Sequence, residues 1–439
     1  LMTSARSVAL DTLIKVLNQN SYSNIALNNA LEKSKLSDKD KALTTKIVYG
    51  TIQYKIFLDY QLKPLIKTKL KDKFIYPLLL MSAYQYFFLE RIPTSAIFDE
   101  ANKLAKNYSG RNSGSYKLVN GILRALDRQG ELLPNKNNTE EYLSIKYSFP
   151  KWLVEYFIDL FGLKRAKSIL SASNIPAATS IRITDSNLSH SDVADQLAKE
   201  KIKTLPSKLT DHNLLIEHGN VAKSDLFKEG KITIQDSAAS LAVDAFNFKG
   251  NEKVLDACSA PGGKTVQIAE QLTTGNVTAS DIHENKLALV KKAAQRLGVS
   301  DKVKTVALDA RKAQDHFTSG TFNKILVDAP CSGLGLIRRK PEIRYDKKLA
   351  DIKNLSKIQK DILNHIAPLL APGGELVYST CTITKEEDED VVAAFLKNHA
   401  DFELVPIKVG NLPKQDFVKI LPDEFNSDGF FIAKFKKRG

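Results

Sequence analysis

Two short stretches carry residues that could do covalent chemistry: Asp328-Ala329-Pro330-Cys331-Ser332 and Ser379-Thr380-Cys381-Thr382. Each follows an apolar run, Ile325-Leu326-Val327 before the first and Leu376-Val377-Tyr378 before the second. A residue just past the end of a buried strand sits at the carboxyl edge of an open α/β sheet, where such folds place their ligands. Two thiols, one beside a carboxylate, suit attack on an electron-poor ring better than a structural bond. A cysteine at a strand end is commonly just a small buried hydrophobe, a reading weaker than the functional one for either cysteine alone and much weaker for both together with Asp328. The chain has three cysteines with no C-x-x-C spacing and seven histidines with no H-E-x-x-H. This argues against a disulfide framework and against a zinc site.

A third stretch, Cys258-Ser259-Ala260-Pro261-Gly262-Gly263-Lys264, follows the run Val254-Leu255-Asp256-Ala257. Gly263-Lys264-Thr265 invites a triphosphate reading, but a Walker A loop needs glycine five places earlier, where Cys258 stands. The dinucleotide fingerprint G-x-G-x-x-G is also absent. What remains is a strand, a glycine turn, a helix and an acid, Asp281, about twenty residues on, placed to grip ribose hydroxyls. S-adenosylmethionine meets those needs without a pyrophosphate. The glycines admit its amino-acid end to the backbone, and Asp309 suits the adenine edge. With that donor the thiols gain a purpose. Carbon 5 of cytosine attacks a sulfonium methyl only after a thiolate has added at carbon 6 and made the ring an enamine. Such a cycle needs a nucleophilic cysteine, a carboxyl on the ring nitrogens and a group that assists release. Asp328, Cys331 and Cys381 are of those types.

The elements that must position these residues fall into three parts. With 439 residues the chain exceeds one ordinary core, and 43% hydrophobic content is ample to bury several. Residues 1–135 have helical periodicity: Val8, Leu10, Leu13, Ile14 and Leu17 make one face, and Ser37 with Asp40 signals the start of a helix. Pro77 opens an apolar helix that ends before Pro93, and a last helix spans 116–126, with Arg111, Lys117, Arg124 and Arg128 on or near it. The run 135–139 reads as a polar linker. Residues 140–230 mix an aromatic-rich helix (152–161), strands at 179–183, 213–216 and 232–234, and a helix over 191–199 capped by Ser191. Residues 231–439 alternate strand and helix as a doubly wound sheet does, with strands at 253–257, 277–281, 303–308, 324–327 and 375–378 and a late edge strand at 430–435. Acids and thiols collect at these strand ends. The net charge of +14 points to an anionic partner, and no apolar run approaches the ~20 residues that span a bilayer. Leu1-Met2 reads as an added residue before a natural start, with amphipathic helix at once and no signal peptide, so a reducing, cytoplasmic setting is expected.

The motifs at 256–265, 328–333 and 378–382 together resemble the signatures of the RNA cytosine-5 methyltransferases of the Sun type. Residues 234–238, 337–341 and 428–431 look like the same family. The first part is similar to the NusB-like antitermination domain, Lys117-Leu118-Val119-Asn120-Gly121-Ile122-Leu123-Arg124 being its most telling stretch. A NusB-like bundle fused to this core is an arrangement found among bacterial small-subunit ribosomal RNA methyltransferases. The resemblance implies an α/β protein: a Rossmann-like methyltransferase core, an all-helical RNA-binding domain and a small α+β middle domain. It implies Cys381 as nucleophile, Cys331 as the residue assisting breakdown of the adduct, and Asp328 on the flipped cytosine close to the methyl donor. S-adenosylmethionine would be held by Cys258, Ser259, Ala260, Pro261, Gly262, Gly263, Lys264, Asp281, Asp309 and Asp328, with no metal. Cys258 has no catalytic part in this reading, and Thr382 stands where the family usually has serine. The expected partner is 16S ribosomal RNA, free or in an early small-subunit particle, with Arg338, Arg339 and Lys340 near enough to the Pro-Cys to hold phosphates. A transfer RNA methyltransferase would carry the same catalytic motifs, and only the bundle argues for ribosomal RNA. A non-catalytic antitermination factor with a dead core would have no reason to keep Asp328, Cys331 and Cys381.

Overall fold

The computed structural model describes residues 4–19, 21–109 and 114–439, so Arg111 lies outside the described residues. It divides into two compact units, Leu1–Asn174 with Lys340–Asp346, and Ile175–Arg339 with Lys347–Gly439.

The first unit is helical, and its boundary differs from the linker expected at 135–139. Helices Thr139–Tyr147, Lys151–Phe161 and Leu163–Ala172 belong to it, because Leu143, Phe149, Leu153, Val154 and Phe157 are buried within it. At its centre runs helix Ile75–Phe88, apolar on every side, with Leu78, Leu79, Leu80 and Ala83 fully buried. Ser37 caps helix Asp38–Gln53 as its spacing predicts, accepting the Asp40 N–H. The segment 340–346 comes from far along the chain, and its Arg344 is fully buried. The guanidinium lies over the Phe149 ring, 4.1 Å from its centroid, and donates to Ser148 O and Asn174 Oδ1.

The second unit holds two sheets. The smaller is antiparallel, with order β2-β3-β1-β4, from β1 (Thr179–Ile183), β2 (Lys203–Pro206), β3 (Asn213–His218) and β4 (Ile232–Ile234). Its helix begins at His190, one residue before the expected start. Ser189, not Ser191, is the cap, because Ser189 and Asp192 satisfy one another's backbone N–H groups in a capping box. The larger sheet contains β5 (Lys253–Asp256), β6 (Asn276–Asp281), β7 (Val303–Ala307), β8 (Phe322–Asp328), β9 (Leu370–Thr380), β10 (Phe402–Leu404), β11 (Phe417–Ile420) and β12 (Phe430–Lys437). Its order is β10-β12-β9-β8-β5-β6-β7, with β11 also on β12. Strands β5 to β9 run parallel, and β12 lies antiparallel to β9. The late strand is therefore interior, not an edge: Phe430, Phe431, Ile432, Ala433 and Phe435 are all buried. Chain order runs outward from β5 through β6 to β7, then returns to β8 on the other side of β5. That reversal makes the carboxyl ends of β5 and β8 the switch point of the sheet.

Candidate active site

Strand ends deliver the acids to this crevice. Asp256 closes β5, Asp281 closes β6, Asp309 follows β7 and Asp328 closes β8. The turn after β5 needs glycine at 262, where φ is +109° and a Cβ would lie 2.8 Å from the Val290 Cα. Asp281 clamps this turn, one carboxylate oxygen accepting the Ala260 N–H at 3.1 Å and the other the His283 N–H at 2.9 Å. Asp309 accepts from the Arg311 guanidinium at 2.7 Å, which holds its carboxyl below the usual range. A cavity of about 390 Å³ opens here, lined in part by Cys258, Ala260, Asp281, Asp309, Asp328, Cys331 and Cys381. The acid-lined end and the thiols thus share one chamber.

At the thiol end, β8 and β9 run side by side, with Asp328 opposite Ser379. The loops that follow bring Cys331 Sγ to 3.2 Å from Cys381 Sγ. Asp328 accepts a hydrogen bond from Ser379 Oγ at 2.8 Å and pairs with Lys264 Nζ at 2.7 Å. The ammonium lies over the Phe430 ring, 5.1 Å from its centroid. Burial works to lower the Lys264 pKa, but the Asp328 carboxylate outweighs it and Cys381 adds to the same field, so the net direction is up. The hydrogen bond to Cys381, burial and the Glu387 carboxylate push the Cys331 thiol up. Cys258 is pushed up as well, by burial and then by Asp256, Asp328, Asp281 and Asp309 around it. A thiol among four carboxylates makes a poor nucleophile.

Comparison with known proteins divides the chain into three stretches. Residues 3–128 match the NusB family, 149–222 the ferredoxin-like domain of RsmF/B-like methyltransferases, and 243–436 the 16S rRNA methyltransferase RsmB/F family. The probable ribosomal RNA small subunit methyltransferase B of Bacillus subtilis is 40% identical over 100% of this chain and 99% of its own. The chain belongs to the RsmB/F family of 16S rRNA methyltransferases. The ribosomal RNA small subunit methyltransferase B of Proteus mirabilis is 32% identical, with 99% of this chain and 98% of the relative covered. Among solved structures, PH0851 covers 100% of both chains with a TM-score of 0.82 at 27% identity. A methyltransferase homolog from Pyrococcus horikoshii covers 68% of this chain and 99% of its own, with a TM-score of 0.59 at 28% identity.

Members of the RsmB/F family depend on S-adenosylmethionine, and the crevice has the chemistry to hold it. Asp281 and Asp309 offer acceptors for ribose hydroxyls and an adenine amino group. Beside the glycine turn, Ser259 Oγ is buried without a partner among the described residues, and a Cβ on Gly263 would meet only open space. A polar amino-acid end would fill that gap. Nine of the ten residues expected to hold the cofactor line one or both of two neighbouring cavities. Asp281 and Asp309 line the large one, Ser259, Pro261, Gly263 and Lys264 a smaller one beside it, and Cys258, Ala260 and Asp328 line both. Gly262 shapes the turn between them. Sequence reading missed the apolar wall of the large cavity, Ile282, Leu308, Ile358 and Ile362, which bears no motif. Among the described residues no group of side chains could hold a metal ion, and no helix is long and apolar enough to cross a membrane.

In the basic run after the Pro-Cys, the two arginines do not take the phosphate role expected of them, whereas Lys340 is exposed. Arg338 is buried and donates to the carbonyls of Ile175, Pro176, Pro422 and Ser427 and to Asn426 Oδ1. Arg339 pairs with Asp428 at 2.6 Å and Asp236 at 3.1 Å. Both guanidiniums are committed to protein acceptors, so they tie loops together and are not free for phosphate.

Proposed function

We propose that this chain methylates carbon 5 of a cytosine in 16S ribosomal RNA through a covalent adduct with Cys381. The observation that carries this reading is the 3.2 Å contact between Cys331 Sγ and Cys381 Sγ beside the Asp328–Lys264 pair. A base buried in folded RNA reaches such a site only by leaving its stack. Asp328 then accepts from the cytosine ring edge, and Lys264 fixes the carboxylate that does so. The Cys381 thiolate adds to carbon 6, and the double-bond electrons shift towards carbon 5 and the ring. Bound S-adenosylmethionine supplies the electrophilic methyl group that carbon 5 takes. Solvent water takes the carbon 5 proton, the electrons of that bond re-form the ring double bond, and the carbon 6–sulfur bond breaks to release Cys381 as a thiolate. Cys331, its thiol pushed up and in contact with that sulfur, is placed to assist the release by donating a hydrogen bond to the departing thiolate. The helical unit and the small-subunit relatives favour ribosomal over transfer RNA, and such a substrate sets the work in the cytoplasm, on free RNA or an early particle.

Methyl transfer to 16S RNA by Cys381→Ala should be abolished while cofactor binding survives; retained turnover would falsify the assignment of the nucleophile. Cys331→Ser should accumulate RNA covalently bound to protein, seen as a retarded band on a denaturing gel. A band that needs Cys331 and not Cys381 would reverse the two roles. Bisulfite mapping of the modified RNA identifies the nucleotide, and a methyl group at any atom other than carbon 5 would overturn the reaction.

A further inference from the structure

A buried carboxylate that takes no step of its own in the chemistry above is hydrogen-bonded to the neighbours of the two thiols. Glu387 lies in the turn before helix Glu389–Asn398 and is fully buried. One of its oxygens accepts the Ser332 N–H at 2.7 Å and Gln359 Nε2 at 3.1 Å. The other accepts Ser332 Oγ at 2.6 Å, Thr384 Oγ1 at 2.7 Å and Thr382 Oγ1 at 3.3 Å. Ser332 follows Cys331 and Thr382 follows Cys381, and the two hydroxyls also meet one another at 2.8 Å. The residues on the other side of each cysteine are held as well. Gln359 Nε2 donates to Pro330 O at 2.9 Å, and Thr380 Oγ1 donates to the buried Asp388 at 2.6 Å. Glu387 itself is fixed through its backbone carbonyl, which accepts from Tyr378 Oη at 2.6 Å.

We propose that Glu387 is a positioning residue that binds the Cys331 and Cys381 loops to one another and so sets the contact between their sulfurs. The inference rests on the reading that both thiols act in the reaction. A carboxylate suits the place because it only accepts, and it meets donors from both loops and from helix Leu349–Ile366 at once. Glutamine can stand in only one way, with its oxygen towards the Ser332 N–H and its amide group towards hydroxyls that can turn to accept. Alanine leaves every donor unmet, and the two loops lose their common anchor. The requirement at 382 is then for a hydroxyl, which threonine meets as serine does. Glu387 lines neither the large cavity nor the smaller one beside it, so its loss should act on the thiols and not on the cofactor.

Phenylarsine oxide reports the thiol contact without RNA. Two thiols add to its arsenic(III), each gives up a proton, and the oxide leaves as water with no change of oxidation state. The full-length chain should bind one equivalent, seen by mass spectrometry, and Cys331→Ser should not. Glu387→Ala should lose this capture and about a hundredfold in kcat, the cost of misplacing a reacting group by about 1 Å, with KM for S-adenosylmethionine unchanged. Glu387→Gln should recover most of both. Should Glu387→Ala fail to fold, Thr382→Val and Thr382→Ser make the same comparison, since only the serine keeps the hydroxyl. Capture and kcat at parental levels in Glu387→Ala, or equal in the two Thr382 variants, would overturn the proposal. If Cys381→Ala still methylates RNA, the catalytic reading falls, and arsenical capture still decides whether Glu387 holds the thiols together.

Discussion

Asp256 ends β5 beside the cofactor turn, where burial pushes its carboxyl up to about 7. A hydrogen bond from Thr265 Oγ1 at 2.6 Å works the other way and is outweighed. A carboxyl raised on folding stabilises the fold fully only below its ordinary range, and that contribution is lost as pH climbs through about 7. Asparagine in its place mimics the protonated form at every pH. Urea unfolding of the cofactor-free protein should therefore show Asp256→Asn gaining on the parent chain between about pH 4 and pH 7, by up to about 1.4 kcal/mol per pH unit. A difference that stays constant across that window would show that the carboxyl titrates normally. At this scale the sequence disclosed the residues that stand at strand ends, because a buried run followed by Asp or Cys has one place to go in an open sheet. Cys331, Cys381, Asp328, Asp281 and Asp309 were legible for that reason. Glu387 was not: its five donors come from positions 332, 359, 382 and 384, and only two of those lie near it in sequence.

Parallel strands β5, β6, β8 and β9 were readable because their buried stretches come as apolar runs between helices, and the half-exposed edge strand β7 because it follows a helix in the same alternation. The short strands β10 and β11, outside that alternation, were not. The sequence put an edge at 430–435, yet β10 and β11 cover that side of β12, and neither has more than four residues. Arg338 and Arg339 misled for a related reason. The acids that bind Arg339 stand 103 and 89 residues away, on the turn after β4 and the turn before β12. Arg339 also donates to Ala178 O, just ahead of β1, so one side chain fastens the ends of three strands. Burial pushes the Asp428 carboxyl up to about 7, and Asp236 adds to the effect, so that carboxylate depends on its guanidinium partner. Arg339→Ala should cost roughly 3 kcal/mol in urea unfolding, the scale for stranding a buried charge. The salt dependence of RNA binding should keep its slope. A slope shallower by about one unit in log–log form, with stability unchanged, would restore the phosphate role to Arg339.

Over the whole molecule, a charge of +14 and a helical NusB-family unit point to RNA held by its phosphates, while the sheet edge holds the chemistry. The chain does not keep the two units separate in sequence. It leaves the second unit after Arg339, spends Lys340–Asp346 in the first, and returns at Lys347. In the first unit Tyr345 Oη donates to Gln53 O at 2.7 Å and Glu342 accepts from Ser23 Oγ at 2.5 Å, beside the buried Arg344. On one side this segment adjoins the Cys331 loop through Arg338 and Arg339. On the other it leads into helix Leu349–Ile366, whose Gln359 holds Pro330. A protein truncated to begin at Ile175 should keep its affinity for S-adenosylmethionine, since the turn, Asp281 and Asp309 all lie in the second unit. It should bind RNA more weakly and with a shallower dependence on salt, having lost the phosphate contacts of the helical unit. Segment 340–346 would also lose every partner named above. Limited tryptic digestion should then cut after Arg344 far faster than in the full-length chain, where that side chain has no exposed surface. Equal cleavage in the two proteins would mean that the segment is ordered without the helical unit, and that the bundle serves RNA binding alone.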